Sequence, residues 1–548
     1  MFSGLVGVRY GRRVLWMPRG DVFWGRGRRW LGLVAVVGAG AVALLVASSG
    51  DHAESRLRGS FVSAGTISPT GGARRVPRSF LGFSLEYDGL AGWEGLQSGP
   101  VNPVLVQLMR NLGGAGRGAP VLRIGGNSSD VSWWNPGRRR RPAGVRYDIT
   151  RRWLQRTSAL LKETGSQVIL GLNFAARGRR VGPEWARAAA GGLPHGSIAA
   201  FEAGNEPDLY SVVPLYQTKG SSQAGPARYN RYARPRSYRF AGYLAEFARF
   251  ARRIADSVPG ARFAGPGFAT PRWMGSLPRF VQAQRTRLGL VTYHRYPLRP
   301  CHIRPGAAQY PTIEHLLSER SSGGLALRVA RYAAEARGAR LPFRIDEMNS
   351  VSCGGTRGVG NSFASALWAT DALFELARAG VAGVNFHGRT HTFYSPFYFR
   401  RQHRNPTGWV AQVSPVYYGM LLFAQATPNG AAVLPVHATS RGNLKIWATV
   451  DRSKTVRVVL INKEPAASSP VRLAIPGASG PGALERLLAP AINSREGITL
   501  GGQTFGHLTS TGQLAGRRRS ESISARNGTY TVPMAPASAA LLTIPPGT

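Results

Sequence analysis

Two glutamates in this 548-residue sequence have flanks suited to acid–base and nucleophilic chemistry. Glu206 stands in Phe201-Glu202-Ala203-Gly204-Asn205-Glu206-Pro207, and Glu347 in Arg344-Ile345-Asp346-Glu347-Met348-Asn349-Ser350. A short apolar run precedes each, so each carboxyl reads as standing at the C-terminal end of a β-strand. Taken alone, Asn-Glu-Pro equally describes a helix N-terminus, where the helix dipole favours a carboxylate. The pair changes that reading. Cleaving a glycosidic bond with retention needs an acid to protonate the leaving oxygen and a nucleophilic carboxylate about 5–5.5 Å away. Glu206 fits the general acid/base and Glu347 the nucleophile. Asn205 is placed to hydrogen-bond the sugar 2-hydroxyl, a contact that strengthens as charge develops at the anomeric carbon.

Such a pair needs a scaffold that brings distant strand ends together. Strand-like runs fall at 80–86, 121–124, 167–172, 198–203, 262–265, 288–293, 343–346 and 383–386. Helical stretches lie between them at 151–164, 243–257, 325–337 and 362–379. In the last, Asn361 or Ser362 caps the start, Phe363, Leu367, Leu373 and Phe374 supply an apolar stripe, and Gly380 ends it. This alternation predicts an α/β fold, a (β/α)8 TIM barrel over 66–428; an open doubly wound sheet is the alternative. In a barrel, strands four and seven face each other across the mouth where active sites of this fold sit. Beyond Pro428, short runs at 432–436, 444–449, 456–462, 471–475, 530–532 and 539–544 predict a C-terminal all-β sandwich over 429–548. Segment 66–76 is placed to add a strand to it.

Lysine and arginine number 70 against 27 aspartates and glutamates, a net charge of +43. Anions will be drawn to such a surface in a salt-sensitive way. No nucleic-acid-binding module accompanies the charge, so no nucleic-acid partner is expected. At the N-terminus, Arg12, Arg13, Arg19, Arg26, Arg28 and Arg29 precede an apolar stretch at 31–48. A basic flank before an apolar run is an export signal or a membrane anchor. Eighteen residues span about 27 Å as a helix, a marginal length for crossing a bilayer. Residues 1–55 are therefore expected to export the chain to the cell surface or beyond. Gly38-Ala39-Gly40 mimics a dinucleotide loop but lies inside that segment.

Several segments resemble glycoside hydrolase family 79, the β-glucuronidase and heparanase family of glycosidase clan A. They are Phe80-Leu81-Gly82-Phe83-Ser84-Leu85-Glu86, Leu122-Arg123-Ile124-Gly125-Gly126-Asn127, Gly171-Leu172-Asn173, Ala203-Gly204-Asn205-Glu206-Pro207 and Glu347-Met348-Asn349-Ser350. The resemblance extends from Thr66 through the barrel and the β-rich C-terminal region. It implies Glu206 as acid/base, Glu347 as nucleophile, and β-linked glucuronic acid in a glycan or glucuronide as substrate, with no cofactor and no metal. Tyr296 resembles the tyrosine that hydrogen-bonds the nucleophile in this clan. Gly354 and Gly355 resemble the pair whose backbone amides receive the uronate carboxylate. The same resemblance favours Glu86 and Asn127 as contacts to sugar hydroxyls. Most of the chain departs from heparanase itself, so exo action is the expected mode; the alternatives are another clan A β-glycosidase specificity, an endo-acting heparanase-like enzyme and an inactive glycan-binding protein.

Other residues admit two readings. Arg123 either pairs with Glu347 and holds it ionised or forms a structural salt bridge of the barrel. Asp130 contacts sugar or shapes the turn after Gly125-Gly126. His294 is a core histidine or a substrate contact, and Tyr394 lines the sugar subsite or packs. His387 and His391 have helical spacing, but Gly388 intervenes and no third ligand is evident, so no metal site is expected. Arg138, Arg139, Arg140 and Arg141 are expected near the mouth, where they attract acidic glycans or form a solvated run. Arg517, Arg518 and Arg519 read as a solvated loop. The only two cysteines, Cys301 and Cys353, follow strands six and seven; adjacent strands would bring their loops together as a disulfide.

Overall fold

The computed structural model describes residues 62–546 apart from 69–72, 96–99, 115, 177–179, 215–231, 403–404, 406 and 479. Before residue 62 it describes only a short antiparallel pair, Val8–Tyr10 with Arg13–Leu15. The export segment at 31–48 lies outside the described residues.

Eight parallel strands close into a barrel in sequence order. They are β1 (Leu81–Glu86), β2 (Val121–Gly125), β3 (Val168–Leu172), β4 (Ile198–Ala203), β5 (Phe263–Phe268), β6 (Leu288–Arg295), β7 (Phe343–Met348) and β8 (Gly383–Gly388). β8 pairs with β1 from Val384 opposite Leu81 through Gly388 opposite Leu85. That closure rules out the open sheet. β5 to β8 each run two or three residues past the apolar stretch that marks them in the sequence. The added residues include Gly267, His294 and Glu347, so the ladder continues where the barrel interior becomes polar.

The helix Arg151–Thr164 matches its expected bounds because its ends are well marked. Thr150 accepts from the Trp153 amide, and Gly165 is left-handed with its N–H on the Leu161 carbonyl. Ser362 precedes the helix Phe363–Arg378 as expected, but its hydroxyl donates to the Val359 carbonyl instead of capping. Further helices include Pro103–Gly113, Val181–Gly192, Leu277–Gln284 and Pro415–Ala426. Pro415–Ala426 is buried almost throughout and so lacks the polar face that betrays a surface helix.

The C-terminal strands form two sheets. Ser63–Ile67 sits between Val436–Ser440 and Ser469–Ala474 in a four-stranded sheet that Thr529–Met534 completes. Arg74–Arg75 pairs with Ala432–Leu434 at an edge of the larger sheet. The segment before the barrel thus contributes to both sheets. Gly482–Leu488, another strand of the larger sheet, escapes sequence reading because Ala, Leu, Glu and Arg are strong helix formers. Alternation along Val456–Asn462 divides its side chains. Val458 and Leu460 face the sandwich core with Val471, Leu473 and Tyr530. Val459 and Ile461 join the barrel's core. Trp447 stacks on Phe374 of the barrel at 5.3 Å between centroids. Beside it Lys463 and Asp371 form a fully buried ion pair at 2.6 Å.

Candidate active site

The upper barrel interior is built around one guanidinium. Arg123 on β2 is fully buried, and a buried charge is tolerated only when paired and hydrogen-bonded. Its Nε and Nη2 reach Glu202 Oε2 on β4 at 2.8 and 2.7 Å. Nη1 donates to Glu347 Oε2 at 2.7 Å and to Ser84 Oγ at 3.2 Å, and Nη2 donates to Asn205 Oδ1 at 2.9 Å. Both readings of Arg123 therefore hold: it ties β1, β2, β4 and β7 together and it touches the expected nucleophile.

Glu206 and Glu347 converge on His294. The imidazole Nδ1 lies 3.0 Å from Glu206 Oε1 and 3.9 Å from Glu347 Oε2. Oxygens of the two carboxyls approach within 4.8 Å of each other. The Tyr296 hydroxyl donates to Glu347 Oε1 at 3.0 Å. Burial works against the charge on Glu347, but His387, His294 and Arg123, with the Tyr296 hydrogen bond, outweigh it and hold the carboxyl down at about 2. Burial also pulls the His294 imidazole down. Glu347 above all raises it, Arg123 opposes, Asp346 and Glu206 add to the rise, and the balance is pushed up to about 9. Glu206 itself is left-handed at φ 50°. The preceding Gly204, at φ 74°, passes so close to the Tyr210 hydroxyl that a Cβ there would sit 2.1 Å from it. This turn swings Glu206 out of β4 towards the mouth. Glu202, His294 and Asp346, and likewise Glu206, His294 and Glu347, are spaced as a cation's ligands would be. A dication would sit beside the Arg123 guanidinium in either group, and the repulsion disfavours it.

Beyond the carboxyls lies a cavity of about 480 Å³, lined in part by Asn127, Asn205, Glu206, Arg146, Tyr147 and Arg389. Asn205 donates to Asn127 Oδ1 at 3.0 Å, so the two amides form one polar edge of it. Asp130 is a strut beneath: buried, it accepts from the amides of Phe174, Ala175 and Asn205 and from the Tyr210 hydroxyl. This carboxylate thus ties the segments after β3 and β4 together and, among the described residues, makes no hydrogen bond within the turn after Gly125-Gly126. Glu86 is buried under the lining, where its carboxylate receives the Ser128 amide at 2.7 Å. Gly355 is at φ 82°, and a Cβ there would press on Phe393 and Tyr394 at 3.1 Å. Its N–H is engaged with the Ser352 carbonyl at 3.1 Å, while the Gly354 N–H has no acceptor among the described residues. Tyr394 is buried between Tyr296 and His387, ring centroids 6.2 and 5.8 Å away.

Sequence reasoning missed three contributors. His387, weighed only as a metal ligand, stands at the end of β8 with Nδ1 3.9 Å from Glu347 Oε2. Arg146 and Arg389 line the cavity, whereas Arg139 and Arg141 of the expected basic run are held by Glu184 and Asp148. For His387 and Arg389 the signal was available, since both directly follow Phe386 at the eighth strand's expected end.

Cys301 and Cys353 are paired, with Cα atoms 6.3 Å apart. Leu298 and Val351 continue the β6–β7 ladder into the loops, and the Ser352 amide donates to the Leu298 carbonyl at 2.9 Å. By loop-closure entropy a bridge across 52 positions contributes at most ~4 kcal/mol. Cys353→Ser is expected to lower the melting temperature and raise KM, because Gly354 and Gly355 follow immediately. Two free thiols in peptide mass spectrometry of the oxidised protein would end this expectation.

Comparison with known proteins agrees with the geometry. Residues 446–541 match the glycosyl hydrolase family 79 C-terminal beta domain. A beta-glucuronidase of Aspergillus niger is 24% identical over 520 residues, covering 86% of this chain and 91% of that protein. One from Neurospora crassa is 23% identical, covering 72% and 74% respectively. Among solved structures, a 4-O-alpha-L-rhamnosyl-beta-D-glucuronidase from Fusarium oxysporum superposes with a TM-score of 0.68 at 18% identity, over 88% of this chain and all of that one. An alpha-L-arabinofuranosidase from Thermotoga maritima shares the fold at TM-score 0.60 and 14% identity, over 89% of this chain and all of the other. The matched β domain and the alignments with these β-glucuronidases make the chain similar to glycoside hydrolase family 79.

Proposed function

We propose that the protein is an exo-acting β-glucuronidase working by double displacement. The observation that carries this is the pair of carboxyls on β4 and β7, with oxygens within 4.8 Å and Glu347 held ionised by Arg123, His294, His387 and Tyr296. That separation belongs with the short carboxyl spacing of retaining glycosidases and not with the ~6.5–9.5 Å of inverting ones. Glu347 attacks the anomeric carbon while Glu206 gives its proton to the departing oxygen. Water, deprotonated by Glu206, then opens the glycosyl ester and restores Glu347. The uronate preference draws support from the relatives named above and from the Gly354 amide. The decisive assay compares nitrophenyl β-glucuronide with nitrophenyl β-glucoside. Preference for the glucoside would overturn the substrate assignment and leave the reaction class standing. Export to the cell surface or beyond belongs to the same proposal, supported by the basic and apolar N-terminus and by the paired cysteines.

The charged loop offers a second test. Arg138, Arg139, Arg140 and Arg141 are all exposed, and their loop returns through Arg146 and Tyr147 to the cavity wall. Replacing all four with serine is expected to lower kcat/KM for a polyanionic substrate at low salt and to spare a small glucuronide. Equal salt dependence in mutant and parent would reduce these arginines to a solvated run.

A further inference from the structure

We infer that Asp346 is a positioning residue: a neutral carboxylic acid that gives its hydrogen to Glu202 and so keeps Arg123 and His294 committed to the two catalytic carboxyls. The consequence for catalysis rests on the proposed roles of Glu206 and Glu347; the protonation itself does not.

Asp346 directly precedes Glu347 on β7 and is fully buried. The charged groups around it are Arg123 on β2, Glu202 on β4, His294 on β6, and Arg344 and Glu347 on its own strand. None supplies it with a hydrogen. A guanidinium has five N–H groups, and those of Arg123 face Glu202, Glu347, Ser84, Asn205 and the His294 ring nitrogen Nε2. Arg344 donates to Asn385 and to the carbonyls of Ser79 and Phe80 at the barrel floor. The His294 Nε2 is 3.6 Å from Asp346 Oδ1, beyond hydrogen-bond reach. As a carboxylate, Asp346 would have no hydrogen-bond donor for either oxygen among the described residues. An ionised buried group left so is strongly disfavoured.

A proton resolves this. Carboxyl oxygens of Glu202 and Asp346 come within 4.8 Å of each other in the buried interior, and two like charges so close cannot both stay ionised there. Glu202 accepts the Arg123 Nε–H, lies 2.7 Å from Nη2 and is the ionised member. Asp346 is the acid. The electrostatics run the same way: burial above all drives Asp346 well above the carboxylate range, while Arg123 overcomes burial to hold Glu202 below it. A neutral Asp346 would no longer add its share to the rise at His294. His294 then answers chiefly to Glu347 and Glu206. When Glu347 becomes an ester and Glu206 gives up its proton, the imidazole's nearest anion is Glu206, 3.0 Å away.

The test rests on an isostere. Asp346→Asn keeps a neutral donor towards Glu202, so kcat/KM is expected within about threefold of the parent with an unshifted pH profile. Asp346→Ala removes the donor and is expected to lose at least about tenfold in kcat. Infrared spectroscopy of protein with 13C-labelled aspartate supplies a readout free of any substrate. A protonated-carboxyl band should persist above neutral pH and vanish in whichever variant folds. A loss of tenfold or more in Asp346→Asn, a shifted basic limb, or a carboxylate signal for Asp346 at neutral pH would overturn the inference. If the parent cleaves no glucuronide but the band is present, the substrate assignment fails and the neutral acid stands.

Discussion

Replacing Glu347 with glutamine is expected to lower kcat by at least about 10⁴-fold and to leave the fold intact, because the amide cannot attack the anomeric carbon. The fold survives because Arg123 keeps Glu202, and Tyr296 can still donate to the amide oxygen. Glu206→Ala has a different signature. Substrates with poor leaving groups need protonation and should lose about 10²–10⁴-fold, whereas activated nitrophenyl glycosides should lose far less in the first step. Equal losses on both would remove Glu206 from its role. Time-resolved NMR should detect the β-anomer first; the α-anomer first would exclude retention. The pH profile follows from the sign of the Glu347 shift. Its carboxyl is depressed to about 2, so the nucleophile stays ionised above that value and is lost only as pH falls through it. The acid side of kcat/KM should accordingly remain flat until the protein itself fails.

The largest effect on stability is expected at the junction between barrel and sandwich. Lys463 and Asp371 are both fully buried, 2.6 Å apart, and the Trp447 indole N–H donates to the same carboxylate at 2.9 Å. Breaking a buried pair by removing one partner costs about 3–5 kcal/mol, because the other charge is left uncompensated. Lys463→Met is therefore expected to destabilise by that amount. Pairing it with Asp371→Leu should recover part of the loss, since well-packed apolar replacements of buried ion pairs are often tolerated. Thermal melts followed by tryptophan emission report the change, with Trp447 at the junction. Additive single losses in the double variant would show that the two charges do not depend on each other.

The barrel, the sandwich and the meeting of Glu206 with Glu347 are legible in the sequence for one reason. Each strand is a compact apolar run with turn-forming residues after it, and Glu206 and Glu347 fall where those runs end. The surrounding network is not legible. Arg123, Glu202, Asp346 and His294 lie within or beside the same runs, and a parallel strand covered on both faces gives no alternation to reveal which side chains point inward. A further complication is local. The β6–β7 register slips between Thr292 and His294, and that of β7 against β8 slips between Ile345 and Met348. Consecutive Asp346 and Glu347 can then both approach Arg123, although neighbours in a regular strand point to opposite faces. Gly482–Leu488 fails for the opposite reason, since its residues prefer a helix and only the three strands paired with it make it a strand.

The strand Ser63–Ile67 sets a clock on how this molecule can be assembled. It lies inside the four-stranded sheet, yet both its neighbours, Val436–Ser440 and Ser469–Ala474, belong to the far end of the chain. The hydroxyls of Ser63 and Ser440 meet across 377 positions of sequence. A ribosome or a translocation pore that delivers the N-terminus first delivers this strand long before anything exists to pair with it. The barrel can close in the meantime, but its flank awaits Trp447, Val459 and Ile461, and the waiting strand offers two bare edges to any extended segment nearby. Completion falls to the strands from Val436–Ser440 onward. A chain cut short after the barrel would be stranded at that stage, prone to find its missing neighbours in other molecules.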